Sequence, residues 1–169
     1  MSQLLIILKF ESWLLSEANL KVRRAEINDL DQLVEFTAAE AREAEGHIKE
    51  TKTLKIGIKT ALEEDSIAMY WVLMNHHNEP VGSASALKEW SDWNAGYYWW
   101  IQSMYIEPGY RGKGYMDLLL DAIRSDMKKQ DGLELRLYVH EDNQVAIKAY
   151  KKSNFTFSKY RIMIQENIE

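Results

Sequence analysis

The segment YIEPGYRGKGYMDLLLDAI, Tyr105 to Ile123, sets Arg111, Gly112, Lys113 and Gly114 between an apolar, β-rich run and a helical pattern. A turn needs at most one glycine, so glycines interleaved with cations point to an anion cradle. Glycine lets the backbone turn tightly and present its N–H groups. A helix starting just beyond adds unpaired donors and a fixed positive end. Together these groups can hold a pyrophosphate without a metal ion. Two other phosphate loops are excluded by residue type. A P-loop needs Lys-Ser/Thr after its second glycine, but Gly109 and Gly114 are followed by Tyr115-Met116. The dinucleotide fingerprint needs a third glycine, where this chain has Asp117. What remains is Arg-x-x-Gly-x-Gly/Ala, with Arg111, Gly114 and Met116 at its marked positions.

A second constellation lies in LYVHEDNQVAIKAYKKSNF, Leu137 to Phe155. Asn143, Ala146, Ile147 and Tyr150 fall at i, i+3, i+4 and i+7 and share one face of a helix. Asn143 sits where a cap belongs. Asn154 can take the left-handed conformation that ends a helix.

The elements that must carry these residues follow from periodicity. KVRRAEI (21–27) reads as a strand. Asn28 or Asp29 caps a helix with Leu30, Leu33, Val34 and Ala38 on one face, running to about Ala44 and stopped by Gly46. TKTLKIGIKTALEED reads as a second helix capped by Thr51 or Thr53. AMYWVLMN, PVGSASALKEW and YYWWIQSMYI are strands separated by the loops HHNE and SDWNAG. The last of them is too apolar and aromatic for a sheet edge. Met116, Leu119, Leu120, Ile123 and Met127 mark a helical face. LELRLYVH is a strand, NQVAIKAYKKS a short helix, and FTFSKYRIMI a closing strand. The order β-α-α-β-β-β-α-β-α-β gives an α+β or mixed α/β class.

The chain resembles the GNAT superfamily of acyl-CoA N-acyltransferases from about Lys21 to Met163. MYIEPGYRGKGYMDLLLDAI is similar to that family's acetyl-CoA motif, including the strand-x-x-Pro before the loop. NQVAIKAYKKSNF is similar to its N-x-x-A-x-x-x-Y-x-K-x-G-F pattern, with Asn154 in place of glycine. The resemblance implies the GNAT fold, a central mixed, mostly antiparallel sheet of six to seven strands flanked by helices. Residues 20–169 would form a single N-acetyltransferase domain, with 1–19 as an amphipathic extension. It implies acetyl-CoA as acetyl donor and no metal. Arg111, Gly112, Lys113, Gly114, Tyr115 and Met116 would hold the pyrophosphate. A backbone N–H of Met104, Tyr105 or Ile106 would bind the acyl carbonyl, where two strands splay apart. Asn143 and Ala146 would contact the cofactor, and Tyr150 would be the general acid. One departure is Met116, where the family usually has Gly or Ala; its side chain must point away from the phosphates.

Transfer from a thioester to an amine requires that the amine lose a proton, the carbonyl oxygen be stabilised and the thiolate be protonated. With no Cys to form an acyl-enzyme, direct attack by the amine is favoured. A phenol of pKa about 10 can protonate a thiolate whose conjugate acid lies near about 8.5 when the two are held together. The base is harder to find. Many family members carry a Glu in the fourth strand, at the position of Trp100, which cannot take a proton. Glu43 and Glu45 come first, because that helix end lies over the acceptor cleft in this fold. His140, Glu141 and a water chain are the other candidates. Trp100, Gln102, Glu43 and His140 are expected to contact the acceptor. Trp90, Trp93, Tyr97, Tyr98, Trp99 and Trp100 crowd one short region. About half should point into the core, and the rest could line a pocket for an organic ammonium.

The net charge of −5 argues against a general nucleic-acid binder. The absence of Cys excludes disulfides and thiolate metal sites. SQLLIILKF has no basic residue before it and no small-x-small site after it, unlike a signal peptide, and it is too short to span a bilayer. A cytoplasmic protein with no membrane partner is expected. Residues 1–19 would pack on the domain or on a second copy, as in a homodimer. The expected function is N-acetylation of a small-molecule amine. The alternatives are a protein N-acetyltransferase and a silent acyl-CoA-binding module.

Overall fold

The structure, a computed structural model, describes residues 20–46 and 49–166, apart from the Glu45 side chain. The expected extension over 1–19 lies outside them. The chain divides into two compact units, Met1–Tyr138 and Val139–Glu169.

The first unit holds a five-stranded sheet in the order β1-β2-β3-β4-β5. The strands are β1 (Lys21–Arg24), β2 (Met69–Met74), β3 (Pro80–Ser91), β4 (Gly96–Ile106) and β5 (Glu134–Leu137). Successive pairs are antiparallel except β4 with β5, which is parallel. A parallel neighbour needs a crossover, and helix α3 (Tyr115–Lys129) supplies it. Helices α1 (Leu30–Glu45) and α2 (Thr51–Glu63) lie between β1 and β2 in sequence. As expected, β4 is an interior strand.

Alternation along β2 sorts the core. Tyr70, Val72 and Met74 face α1 and α2, where they meet Leu33, Val34, Ile58 and Ala61. Trp71 faces the other way, 6.4 Å from the fully buried ring of Trp99. Its indole N–H donates to Asp126 of α3 at 3.1 Å. Leu119, Leu120 and Ile123 give α3 its fully buried stripe. Each such side chain contributes about 1.5–3 kcal/mol of burial.

Helix α1 is fixed at both ends. Gly46 closes it at φ 68°, as expected. At its start, Asp29 does not cap α1 with its own side chain. It accepts instead from the Glu26 N–H at 2.8 Å and from Arg23 at 2.7 and 2.8 Å. This closes a capping box around the 3-10 turn Ile27–Asp29. Thr51 and Thr53 also fail as caps: Glu50 precedes α2, and the Thr53 hydroxyl donates to the Glu50 side chain.

The second unit contains α4 (Gln144–Lys152). The strand expected from FTFSKYRIMI is absent. Among the described residues no strand pairs with it, and Phe157, Tyr160, Met163 and Ile164 are exposed. Alternating apolar residues make a strand only where a neighbour takes their backbone groups. The sheet of six to seven strands is thus corrected to five among the described residues.

Burial pushes the Asp29 carboxyl up, but the Arg23 hydrogen bond, the Glu26 N–H and the Arg23 charge together hold it below its ordinary value. A lowered carboxyl stabilises the fold above its unfolded pKa of about 3.9 and loses that contribution as pH falls through the folded value. Asp29→Ala should therefore cost about 1.5–3 kcal/mol at neutral pH, the range for hydrogen bonds to charged groups. In urea titrations the gap to the native protein should shrink as pH falls below about 4. A gap independent of pH would show that the Asp29 charge contributes nothing.

Candidate active site

Strand β4 shifts its register against β3 midway. Ser85 faces Ser103 while Ala86 faces Ile101, so Gln102 is an extra, unpaired bulge residue. Bulges bend a strand and end or re-aim its pairing. On the other side, pairing with β5 runs only from Tyr98 to Ile101. The two strands part where the sequence led us to expect a splay.

A stripe of α1 covers the stretch of β4 that follows. Phe36, Glu40 and Glu43 stand at i, i+4 and i+7, on one helical face. The Phe36 ring packs 5.4 Å from Tyr105. Glu40 accepts the backbone N–H of Met104 at 3.0 Å. Glu43 accepts from Arg111 at 2.9 and 3.0 Å. Arg111 also donates through Nε to the Ile106 carbonyl at 2.6 Å and lies 5.2 Å over the Tyr105 ring.

The electrostatics match this packing. The hydrogen bond to Glu43 raises the Arg111 guanidinium above its ordinary value. Burial, then the Glu43 charge, raises the Tyr105 phenol against the opposing pull of Arg111. Under the bulge, Ser85 and Ser103 share a hydrogen bond of 2.9 Å. Burial pushes the Tyr70 phenol up; a hydrogen bond with Ser85 opposes this and the Glu40 charge adds to it.

Beyond β4 the chain makes a 3-10 turn, Pro108–Tyr110. Its Tyr110 hydroxyl accepts from the buried Asn75 at 3.2 Å, which ties the turn to the β2–β3 hairpin. Gly112 and Gly114 then take φ of 75° and 82°, and no side chain caps α3. A Cβ at either glycine would meet nothing within 4 Å. The backbone angle, not crowding, therefore demands glycine, and the turn opens onto free space. Lys113 is exposed and Met116 half-buried.

The structure brings Glu43, Met104, Tyr105, Ile106 and Arg111 together, whereas the Glu45 side chain lies outside the described residues. Arg111, expected among the residues that hold the pyrophosphate, turns back onto Glu43 and β4. Gln102 is exposed on the bulge. Trp100 stacks on Tyr138 at 4.6 Å, and its indole N–H is buried with no partner. Of the aromatic cluster Trp99 is fully buried, while Trp90, Trp93 and Tyr97 are exposed. Within the second unit, Asn143 caps α4 by accepting from the Ala146 N–H at 3.0 Å. Asn154 takes φ 69°, as expected. Ile147 is buried, and the half-buried Tyr150 lies 5.5 Å from Phe155. His140 and Glu141 are exposed, and His140 Nδ1 accepts from the Asp142 N–H at 3.2 Å. Sequence reading missed Glu40. The spacing of Phe36, Glu40 and Glu43 held the signal, but β4 was needed to show which face mattered.

The family model of the GNAT acetyltransferases matches residues 30–155. The chain belongs to the GNAT family. As a GNAT protein it is an acyltransferase. A protein from Clostridium difficile 630 described as a possible acetyltransferase is 30% identical, with TM-score 0.82 over 89% of this chain and 99% of that one. A predicted acetyltransferase from Clostridium acetobutylicum, solved with acetyl-CoA, is 19% identical with TM-score 0.72 over 87% and 96%. An aminoglycoside acetyltransferase from an uncultured soil metagenomic sample, solved with sisomicin, is 15% identical with TM-score 0.71 over 90% and 99%. A search of curated proteins gives no significant match. Among the described residues no group of side chains is arranged to hold a metal ion, and no helix is long and apolar enough to cross a membrane.

Arg111 and Glu43 are each roughly half exposed, so their pairing should stabilise this GNAT domain little. A double-mutant cycle on Arg111→Ala and Glu43→Gln should give a coupling below about 1 kcal/mol. A coupling of several kcal/mol would make the pair a structural clamp instead of a contact that a ligand can displace.

Proposed function

We propose that the protein transfers an acetyl group from acetyl-CoA to a primary amine of a small molecule by direct attack. The observation that carries this reading is the Met104 N–H. It donates out of β4 beyond Ile101, where pairing with β5 has ended, and β4 leads through a 3-10 turn to a glycine turn that opens onto free space. A pyrophosphate suits such a turn, because backbone N–H groups and a helix N-terminus need no metal to bind it. A carbonyl that gains negative charge suits a fixed backbone donor at hydrogen-bond distance. The residues present therefore fit the donor that the GNAT family implies.

The division of labour follows. Gly112, Gly114 and the first turn of α3 bind phosphate, with Arg111 and Lys113 adding charge. Met104 orients and polarises the carbonyl. By the family resemblance, Asn143 and Ala146 would contact the donor and Tyr150 would protonate the departing sulfur. Because no Cys is present, no acyl-enzyme is formed on sulfur. An aminoglycoside acetyltransferase among the structural neighbours motivates the small-molecule acceptor, and a ribosomal-protein-alanine N-acetyltransferase among them motivates the protein alternative. A cytoplasmic location goes with this reading.

Calorimetric titration should show acetyl-CoA binding in the micromolar range, about −8 kcal/mol. Arg111→Ala should weaken it by about tenfold or more, the effect of losing about 1.4 kcal/mol. Glu43→Gln, which frees Arg111, should leave it equal or tighter. Unchanged affinity in Arg111→Ala would remove that residue from the phosphate site. Thiol release should be assayed over a panel of lysine, spermidine, glucosamine, tyramine and an Ala-terminated peptide. Tyr150→Phe should lower kcat by about a hundredfold, in the range for lost acid catalysis, with little change in acetyl-CoA affinity. A normal kcat would exclude the Tyr150 hydroxyl from the mechanism.

A further inference from the structure

We propose that Glu40 is the catalytic base for the acceptor amine, held on the Met104 N–H until the acyl donor displaces it. The inference rests on the acetyl-transfer reading above.

Glu40 occupies a place that the reaction requires. Its Oε1 accepts from the Met104 N–H at 3.0 Å, within the distance at which such a donor binds a developing oxyanion. A carbonyl oxygen and a carboxylate oxygen cannot share that position. When the carbonyl takes the N–H, the carboxylate must leave it. Its Cα is fixed in the middle of α1, between Phe36 on Tyr105 and Glu43 on Arg111. Side-chain rotation alone can therefore move it, and it stays beside the carbonyl it has just made room for. The amine must approach that same carbon.

The other carboxylates and rings fit the role less well. Glu43 is directed to Arg111 and not to the Met104 N–H. Trp100, in the fourth strand, has no basic atom. Glu40 is half-buried, and the group it faces from β2 is Tyr70, whose phenol is pushed up in part by the Glu40 charge. Once parted from the N–H, the carboxylate loses a hydrogen bond that favours its charged form, which makes it a better proton acceptor.

The balance closes. An ammonium gives one proton to the Glu40 carboxylate. The neutral nitrogen forms the C–N bond as the C–S bond breaks, and the sulfur leaves with the bonding pair. The nitrogen loses a second proton, the sulfur gains one, and Glu40 returns its own to solvent. The products are an amide, a free thiol and one proton in solution, and no oxidant, reductant or metal is needed.

Glu40→Ala, Glu40→Gln and Glu40→Asp should be compared with the native protein by acetyl-CoA calorimetry and by thiol release with the best amine of the panel. Ala and Gln should lower kcat by about a hundredfold or more, the usual contribution of a general base. Asp should recover part of that loss. Acetyl-CoA affinity should stay equal or become tighter in Ala, since a competitor for the Met104 N–H is gone. Two results would overturn the proposal: kcat within about threefold of native in both Ala and Gln, or affinity that weakens about tenfold in Ala, each judged against the range for a general base. If the native protein neither binds acetyl-CoA nor releases thiol, the acetyl-transfer reading itself has failed, and the variants are not the cause.

Discussion

A backbone N–H that leaves a β ladder must find another acceptor or stay wet. In β4 the bulge at Gln102 and the end of pairing at Ile101 put Met104 in that position. The strand cannot continue as an ordinary interior strand, so a helix closes over it. Phe36 supplies the apolar contact, Glu40 the acceptor for the N–H and Glu43 the partner for Arg111. The site is thus a gap in a sheet, held in shape by a helix that stands in for the missing strand.

That arrangement needs α1 in one rotational setting. A helix turned by one residue, about 100°, would present a different stripe to β4. The ends of the helix set the rotation. At the start, Arg23 and the Glu26 N–H hold the buried Asp29; at the finish, Gly46 takes a left-handed angle. Between them, Leu33 and Val34 pack on the sheet. A capping device far from the chemistry therefore helps decide which carboxylate reaches Met104. On the opposite face, Trp71, Trp99 and the stripe of α3 fix the sheet itself, and α3 presents the glycine turn.

What could be read from the sequence was what depends on neighbours in the chain. Gly46, Gly112, Gly114, Asn143 and Asn154 behave as expected, because left-handed angles and caps are local demands. The order of strands and helices followed from periodicity, and the splay near Met104 followed from the family resemblance. Other features were out of reach because they depend on partners that neighbouring residues in the chain do not reveal. The Glu40 contact spans 64 residues, and it depends on a register that a bulge shifts by one. Arg111 was expected on the pyrophosphate, and its pairing with Glu43, 68 residues away, could not be read. The closing FTFSKYRIMI segment has the alternation of a strand but no partner for its backbone, and alternation alone does not supply one. Asp29 was recognised as a capping residue, but its side chain serves the turn before α1 instead of α1 itself.

In the proposed exchange one backbone donor passes from a carboxylate to an acyl carbonyl. The amide resonance of Met104 reports on it directly. In the free protein Glu40→Ala should shift that resonance, because a charge-assisted hydrogen bond is lost. On saturation with acetyl-CoA, the native protein and Glu40→Ala should converge on one common position, because both then donate to the same carbonyl. A Met104 resonance that ignores acetyl-CoA in both proteins would contradict the account.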